Sequence, residues 1–317
     1  SSAQTRLRLK CSDGDLVSSE VLVPGGLFTL NNVHKPDIIR QFIDVDSSGN
    51  YTNAALSSDG FVYVWGQMAA TGYYVGDSTA HSVPTLITGG NWPPIIDVAC
   101  TGQGLLVLGN DQTIRCVGYS SYGEFGNGTT GANYSPASNI KPTGLDGQIK
   151  AISCSYAHTL ALHEDGTVRA FGYNTSYGAL GDGTFTNRSS PVTVLGGLSN
   201  VKAIAAGGYS TVGFSLALTN AGEVYSWGYN GQGQLGHGDT ASRNLPAKIP
   251  GLTGVKAIAA GANHSLFLLE NGKIFYCGND GVNTAAGNVP VEVISPLLVD
   301  IQKIFAGQSA NSQGCSF

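Results

Sequence analysis

Charge is scarce in this chain. Of its 317 residues only 12% are Asp, Glu, Lys or Arg, and the formal balance is −5. Binding nucleic acid by neutralising phosphates requires a concentrated positive field, so that class of partner is not expected. The one basic cluster, Arg6, Arg8 and Lys10, alternates with Leu7 and Leu9, the pattern of a strand with one solvated face. No run of 18 apolar residues occurs, so no membrane insertion is expected. No signal peptide is visible; a start at Ser1 fits a mature secreted product or a chain that has lost only its initiator methionine.

The usual signatures of catalysis and metal binding are also missing. The six cysteines, Cys11, Cys100, Cys116, Cys154, Cys277 and Cys315, contain no CxxC pair, and the six histidines show neither HExxH nor His-x-His spacing. No GxSxG is present, and the stretches GNGTTG and GQGQLG lack the lysine and following Ser or Thr of a phosphate-binding loop. GYNGQG imitates a dinucleotide pattern, but it recurs along the chain without a following helix, as glycines that permit a tight loop would. No enzyme, no cofactor and no metal site are expected.

What the chain has in abundance is glycine, 45 residues of it, arranged in a repeat. VKAIAAGGYS at Val201 returns as VKAIAAGANH at Val255, and similar starts at Ile95, Ile149 and Ile301 give spacings of 54, 52, 54 and 46 residues. Each unit carries a strand ending in glycine: FVYVWG at Gly66, TIRCVG at Gly118, TVRAFG at Gly172, EVYSWG at Gly228 and KIFYCG at Gly278. Asp59-Gly60, Asp165-Gly166 and Asn271-Gly272 precede it, and such dipeptides between alternating apolar runs signal hairpins. Four short strands leave both sheet faces bare, whereas radial packing covers them. The fold class expected is therefore all-β: a single-domain β-propeller of four-stranded antiparallel blades.

Six blades are preferred, with seven as the alternative. The boundaries expected are 28–94, 95–148, 149–200, 201–254 and 255–300 for the first five, with a composite last blade. Residues 301–317 would supply its first strands and residues 1–27 its closing strands, since SSEVLVPGGL at Ser18 resembles the fourth-strand segment SSPVTVLGGL at Ser189. A disulfide between Cys11 and Cys315 would fasten that junction; two reduced buried thiols are the other possibility.

The segment IAAGANHSLFL, Ile258 to Leu268, and the loops GYNGQGQLGHGDT, GYNTSYGALGDGT and GYSSYGEFGNGTT resemble the two hallmarks of the regulator of chromosome condensation repeat. The resemblance covers roughly residues 39 to 307. The signature histidine is present at His158 and His264 and is replaced at the equivalent Thr52, Gly104 and Phe214. A residue demanded blade after blade is expected to bond structurally between blades. The resemblance implies a propeller and, as one function, nucleotide exchange on a Ran-like small GTPase.

Residue chemistry alone favours a non-catalytic recognition or scaffold module, possible within a larger assembly, with a protein or glycan partner held by the loops that follow the third strands. The candidate contacts are Tyr73, Tyr74, Tyr122, Tyr177, Gln232 and Gln234, because tyrosine offers large contact area and a polar handle at low rotamer cost. An extracellular, virion-surface or cell-surface setting is favoured, with cytoplasmic or nuclear placement open; sequons at Asn50, Asn127, Asn133, Asn174, Asn187 and Asn263 add weakly to it. A propeller-type enzyme inhibitor is the remaining alternative.

Overall fold

The structure, a computed structural model, describes residues 5–7, 21–23, 27–28, 40–47, 53–66, 81–145, 147–279, 287–294, 301 and 303–306. Chain order begins with β1 (Thr5–Leu7), β2 (Val21–Val23) and β3 (Leu27–Phe28). The first blade follows with β4 (Arg40–Ser47), β5 (Asn53–Ser57), β6 (Val62–Gly66) and β7 (His81–Leu86). The second is β8 (Ile95–Cys100), β9 (Gly104–Gly109), β10 (Ile114–Ser120) and β11 (Ala132–Tyr134), and the third is β12 (Ile149–Cys154), β13 (His158–His163), β14 (Val168–Gly172) and β15 (Arg188–Thr193). The fourth is β16 (Val201–Tyr209), β17 (Val212–Thr219), β18 (Val224–Gly228) and β19 (Arg243–Lys248), and the fifth is β20 (Val255–Ala260), β21 (His264–Leu269), β22 (Ile274–Gly278) and β23 (Val291–Glu292). Every pairing within a blade is antiparallel and sequential.

Five blades, not the six or seven expected, are present among the described residues. The difference arises at the chain ends. Strands β1 and β2 pair with each other as a separate two-stranded sheet, and Leu27–Phe28 pairs with β4 and so joins the first blade rather than a last one. Ile301 and Ile304 pack against the fifth blade's Leu266, Leu268 and Ile274, as the start of a further unit would. The Cys11–Cys315 pairing lies outside the described residues.

The turn between second and third strands explains much of the sequence pattern. The fourth turn residue donates its amide back to the strand end: Gly60 to Ser57, Gly166 to His163, Gly222 to Thr219 and Gly272 to Leu269. These glycines have φ between +74° and +82°, which is why glycine is used; the second blade places Gln112 there at φ 59°. The same turn is also a joint between blades. Ile95 donates to the carbonyl of Gly60, Ile149 to Gln112, Val201 to Gly166 and Val255 to Gly222.

First strands neighbour one another from blade to blade and so line the axis. Each has a register shift near its start, between Phe42 and Asp44, Ile95 and Asp97, Ile149 and Ala151, Val201 and Ala203, and Val255 and Ala257. Such a bulge adds local twist. The cores lie between the sheets: Leu56, Val64, Leu105 and Val107 join the first two blades, Leu108, Ile152 and Phe171 the next two, Leu160, Ala217 and Trp227 the third and fourth, and Leu216, Ile249 and Phe267 the fourth and fifth. Cys100, Cys116, Cys154 and Cys277 are buried free thiols within these seams.

Candidate functional site

The loops that follow the third strands share one construction, built from the strand-ending glycine outward. In the third blade the amide side chain of Asn174 donates to Asp182 and to the carbonyl of Thr184, while its Oδ1 accepts from Leu180 at 2.9 Å. Asn230 does the same in the fourth, donating to the carbonyls of Asp239 and Ala241 and accepting from Leu235 at 2.9 Å. Both asparagines are buried, so the Asn174 sequon offers no room for a glycan. The second blade has Ser120 at that place and uses buried Glu124 instead, whose carboxylate accepts from the amides of Ser121 and Tyr122 at 3.0 and 2.7 Å. Burial raises the pKa of Glu124 against those bonds.

Each loop is held by the blade after it. Thr159 donates its hydroxyl to the carbonyl of Glu124 at 2.8 Å, Ser215 to Ala179 at 2.9 Å and Ser265 to Gln234 at 2.8 Å. The loops also bond forward to the outer edge of the next blade, Gly128 to Ser189, Gly183 to Asn244 and Gly238 to Asn288. Gly178 and Gly233 approach that edge so closely that a side chain would collide with Asn244 and Asn288. Composition and the family hallmarks do not single out the hydroxyls at 159, 215 and 265. Their signal is an invariant Ser or Thr immediately after the histidine position in three successive units.

The loop tips form a row. Tyr122 meets Tyr173 of the next blade edge-on, ring centroids 5.2 Å apart; Tyr177 meets Tyr229 in the same way at 4.7 Å; and Asn279 donates to Oε1 of Gln232 at 3.4 Å. Tyr122, Tyr177 and Gln232 thus occupy one position in three blades, each against the first loop residue of its neighbour. The tyrosines are half-buried and Gln232 is exposed. Gln234 differs from the expectation. It is fully buried, and its Oε1 accepts from the Gln232 amide at 3.0 Å, so it shapes the loop where Glu124 does in the second blade. Tyr73 and Tyr74 lie outside the described residues.

The face is electrically quiet. Arg188 pairs with Asp182 and Arg243 with Asp239, each at 2.8 Å. Bonding to Arg243 holds the Asp239 carboxyl down at about 2, and burial keeps His237 neutral with a pKa of about 4. His158 and His264 are buried beneath the loops. Among the described residues no group of three or more His, Cys, Asp and Glu side chains is arranged to hold a metal ion.

Carboxyls do gather near the axis. Asp44 neighbours Asp97, Oδ2 of Asp46 accepts from the amide of Cys100 at 2.7 Å, and Oδ2 of Asp97 accepts from Ile152 at 3.0 Å. Burial raises Asp46 to about 6 and Asp97 to about 7, with the neighbouring aspartates adding to both.

Fold and site together define a β-propeller whose described loop face is tyrosine-rich and carries its exposed charges in ion pairs. The chain belongs to the RCC1-like domain family, whose profile matches residues 21–315. It is 28% identical over 294 residues to the RCC1 domain-containing protein RUG3, mitochondrial, of Arabidopsis thaliana, covering 85% of this chain and 64% of that protein. It is 30% identical to the ultraviolet-B receptor UVR8 of the same plant, over 67% of this chain and 47% of the receptor. It is 29% identical to the human E3 ubiquitin-protein ligase HERC2, over 86% of this chain and 6% of the ligase. The chain thus spans under two thirds of each of these relatives. Among solved structures, Prp20p from Saccharomyces cerevisiae superposes with a TM-score of 0.72 at 21% identity, over 87% of this chain and 68% of that one. Human WBSCR16 superposes at 0.70 and 19%, over 85% and 70%.

Proposed function

We propose that this chain is a non-catalytic recognition module that holds a protein partner against its third-strand loop face. The row Tyr122–Tyr173, Tyr177–Tyr229 and Gln232–Asn279 carries the reading. It presents rigid aromatic and amide groups on four successive blades, and loops fixed to a rigid scaffold are where recognition is found. Prp20p has been characterised for binding to Gsp1p and histones and solved in complex with Kap60, which favours protein over the glycan also expected from composition. The surface or virion setting draws no support from these relatives, one of which is mitochondrial.

The test is partner capture by proximity labelling, comparing the wild type with a Tyr122→Ser, Tyr177→Ser, Gln232→Ala triple variant and with a Lys150→Ala, Lys256→Ala variant on the first-strand bulges. Partners lost in the folded triple variant alone support the reading. Partners retained by the triple variant and lost from the lysine variant would overturn it. Accelerated nucleotide release from a Ran-like GTPase by stoichiometric protein would replace it with exchange activity.

A further inference from the structure

The fourth blade departs from its neighbours in one place. Strands β16 and β17 continue past the Ala206–Ser215 pair, where β12–β13 and β20–β21 end, through Gly207–Phe214, Gly208–Gly213 and Tyr209–Val212. The resulting hairpin rises on the loop side and closes in the two residues Ser210 and Thr211, with Ser210 at φ 49°. Gly208, at φ 116°, passes so close to the Val212 carbonyl that no side chain fits, and its amide bonds to Gly261 of the fifth blade at 2.9 Å. The hairpin is thereby braced against the neighbouring blade.

Its tip carries Tyr209 and stands beside the tyrosine row. The amide of Tyr229 donates to the carbonyl of Gly213 in the hairpin at 2.8 Å, one pair below Tyr209–Val212, and its ring meets Tyr177 edge-on at 4.7 Å. Every charged side chain in the described loops around this wall is paired, as Asp182 with Arg188 and Asp239 with Arg243, or buried, as Glu124 is. Among the described residues of this wall, an acidic, basic or phosphorylated segment finds no unpaired counter-charge. Tyrosine rings and their hydroxyls instead match a chain that is rich in flat apolar rings and bare carbonyls. A polyproline II segment is such a chain, because it makes no internal hydrogen bonds and proline has no N–H of its own.

We propose that the wall formed by Tyr177, Tyr209 and Tyr229 receives an uncharged, proline-rich segment of the partner in extended polyproline II conformation. This rests on the loop face being the recognition surface and adds the chemistry of what it recognises. The blade-four hairpin flanks the rings on which the prolines stack.

Fluorescence polarisation of labelled decaproline against the full chain tests this, with a Gly-Ser decapeptide and maltoheptaose as competitors. Saturable binding is expected, about tenfold weaker in Tyr177→Ala and in Tyr209→Ser, and little changed by added salt. Tyr209→Ser alters only the projecting tip, so it reports on binding even if Tyr177→Ala lowers stability. The proposal is overturned if decaproline fails to saturate, if neither variant weakens it, or if maltoheptaose displaces it. Failure here alongside partner capture that still depends on Tyr122, Tyr177 and Gln232 removes the proline-rich segment and leaves the recognition face standing.

Discussion

Nε2 of His158 in the third blade meets Oγ of Ser215 in the fourth at 2.9 Å, while its Nδ1 meets Oγ of Ser155 at 2.6 Å. Because Ser215 gives its own hydroxyl proton to the Ala179 carbonyl, it must accept from the imidazole. His158 is therefore the Nε2–H tautomer, donating across the seam and accepting from Ser155. Burial holds it neutral, with a pKa of about 3.

Replacing His158 by alanine leaves a cavity and strands Ser155 without its acceptor. A loss of about 2–4 kcal/mol is expected, measured by denaturant unfolding. A variant within about 0.5 kcal/mol of wild type would show that the seam does not depend on this side chain.

Stability should respond to pH in two opposing ways. Asp46 and Asp97 have folded values of about 6 and 7 against an ordinary 3.8, so the folded state binds their protons more tightly and loses stability as pH rises from about 4 to about 7. His158 and His237, lowered to about 3 and about 4, act in the other direction, since stability falls as pH drops below their ordinary 6.5. Asp97→Asn keeps an acceptor for the Ile152 amide and removes one titration. The variant should be more stable than wild type at pH 8, on the order of 1–2 kcal/mol, and more acid-labile relative to its own maximum. Thermal melts from pH 4 to 8 check this, and parallel curves for variant and wild type would contradict it.

Two glycine substitutions separate strain from collision. A side chain at Gly172, φ 110°, would sit 2.4 Å from the Ala157 carbonyl, whereas Gly251, φ 70°, has open space around it. Gly251→Ala should cost about 1 kcal/mol from the backbone alone. Gly172→Ala should cost at least about 3 kcal/mol, read as a clearly larger drop in melting temperature.

Asn230 is fully buried and bonds to both sides of its loop. Asn230→Ala should destabilise by about 2–3 kcal/mol and speed hydrogen exchange at the Leu235 amide before the strands open. Unchanged exchange at that amide would mean that the loop keeps its shape by other contacts.

The blades were legible because their periodicity and turn glycines are local: Asp59-Gly60 and Asn271-Gly272 announce hairpins in two residues. The count was not, because it depends on which distant strand Leu27–Phe28 joins, and backbone pairing leaves no mark in a two-residue run. In the candidate site, Tyr122, Tyr177 and Gln232 could be found as variable loop residues. Gln234 could not be separated from them, since a glutamine two residues away reads alike whether it faces water or bonds inward. Asp97 is unmarked in the sequence, because one acid in an apolar strand gives no hint that Asp44 and Asp46 neighbour it from another blade.

The hydroxyl contacts from Thr159, Ser215 and Ser265 have a consequence for how such a ring can be re-engineered. A loop and the residue that holds it belong to different sheets, so the sheet is the wrong unit of exchange. Moving residues 173–187 into another propeller without Ser215 transplants a shape without its fastening. The portable module runs from the middle of one sheet to the middle of the next, and a library built on that offset frame would keep each new loop tethered.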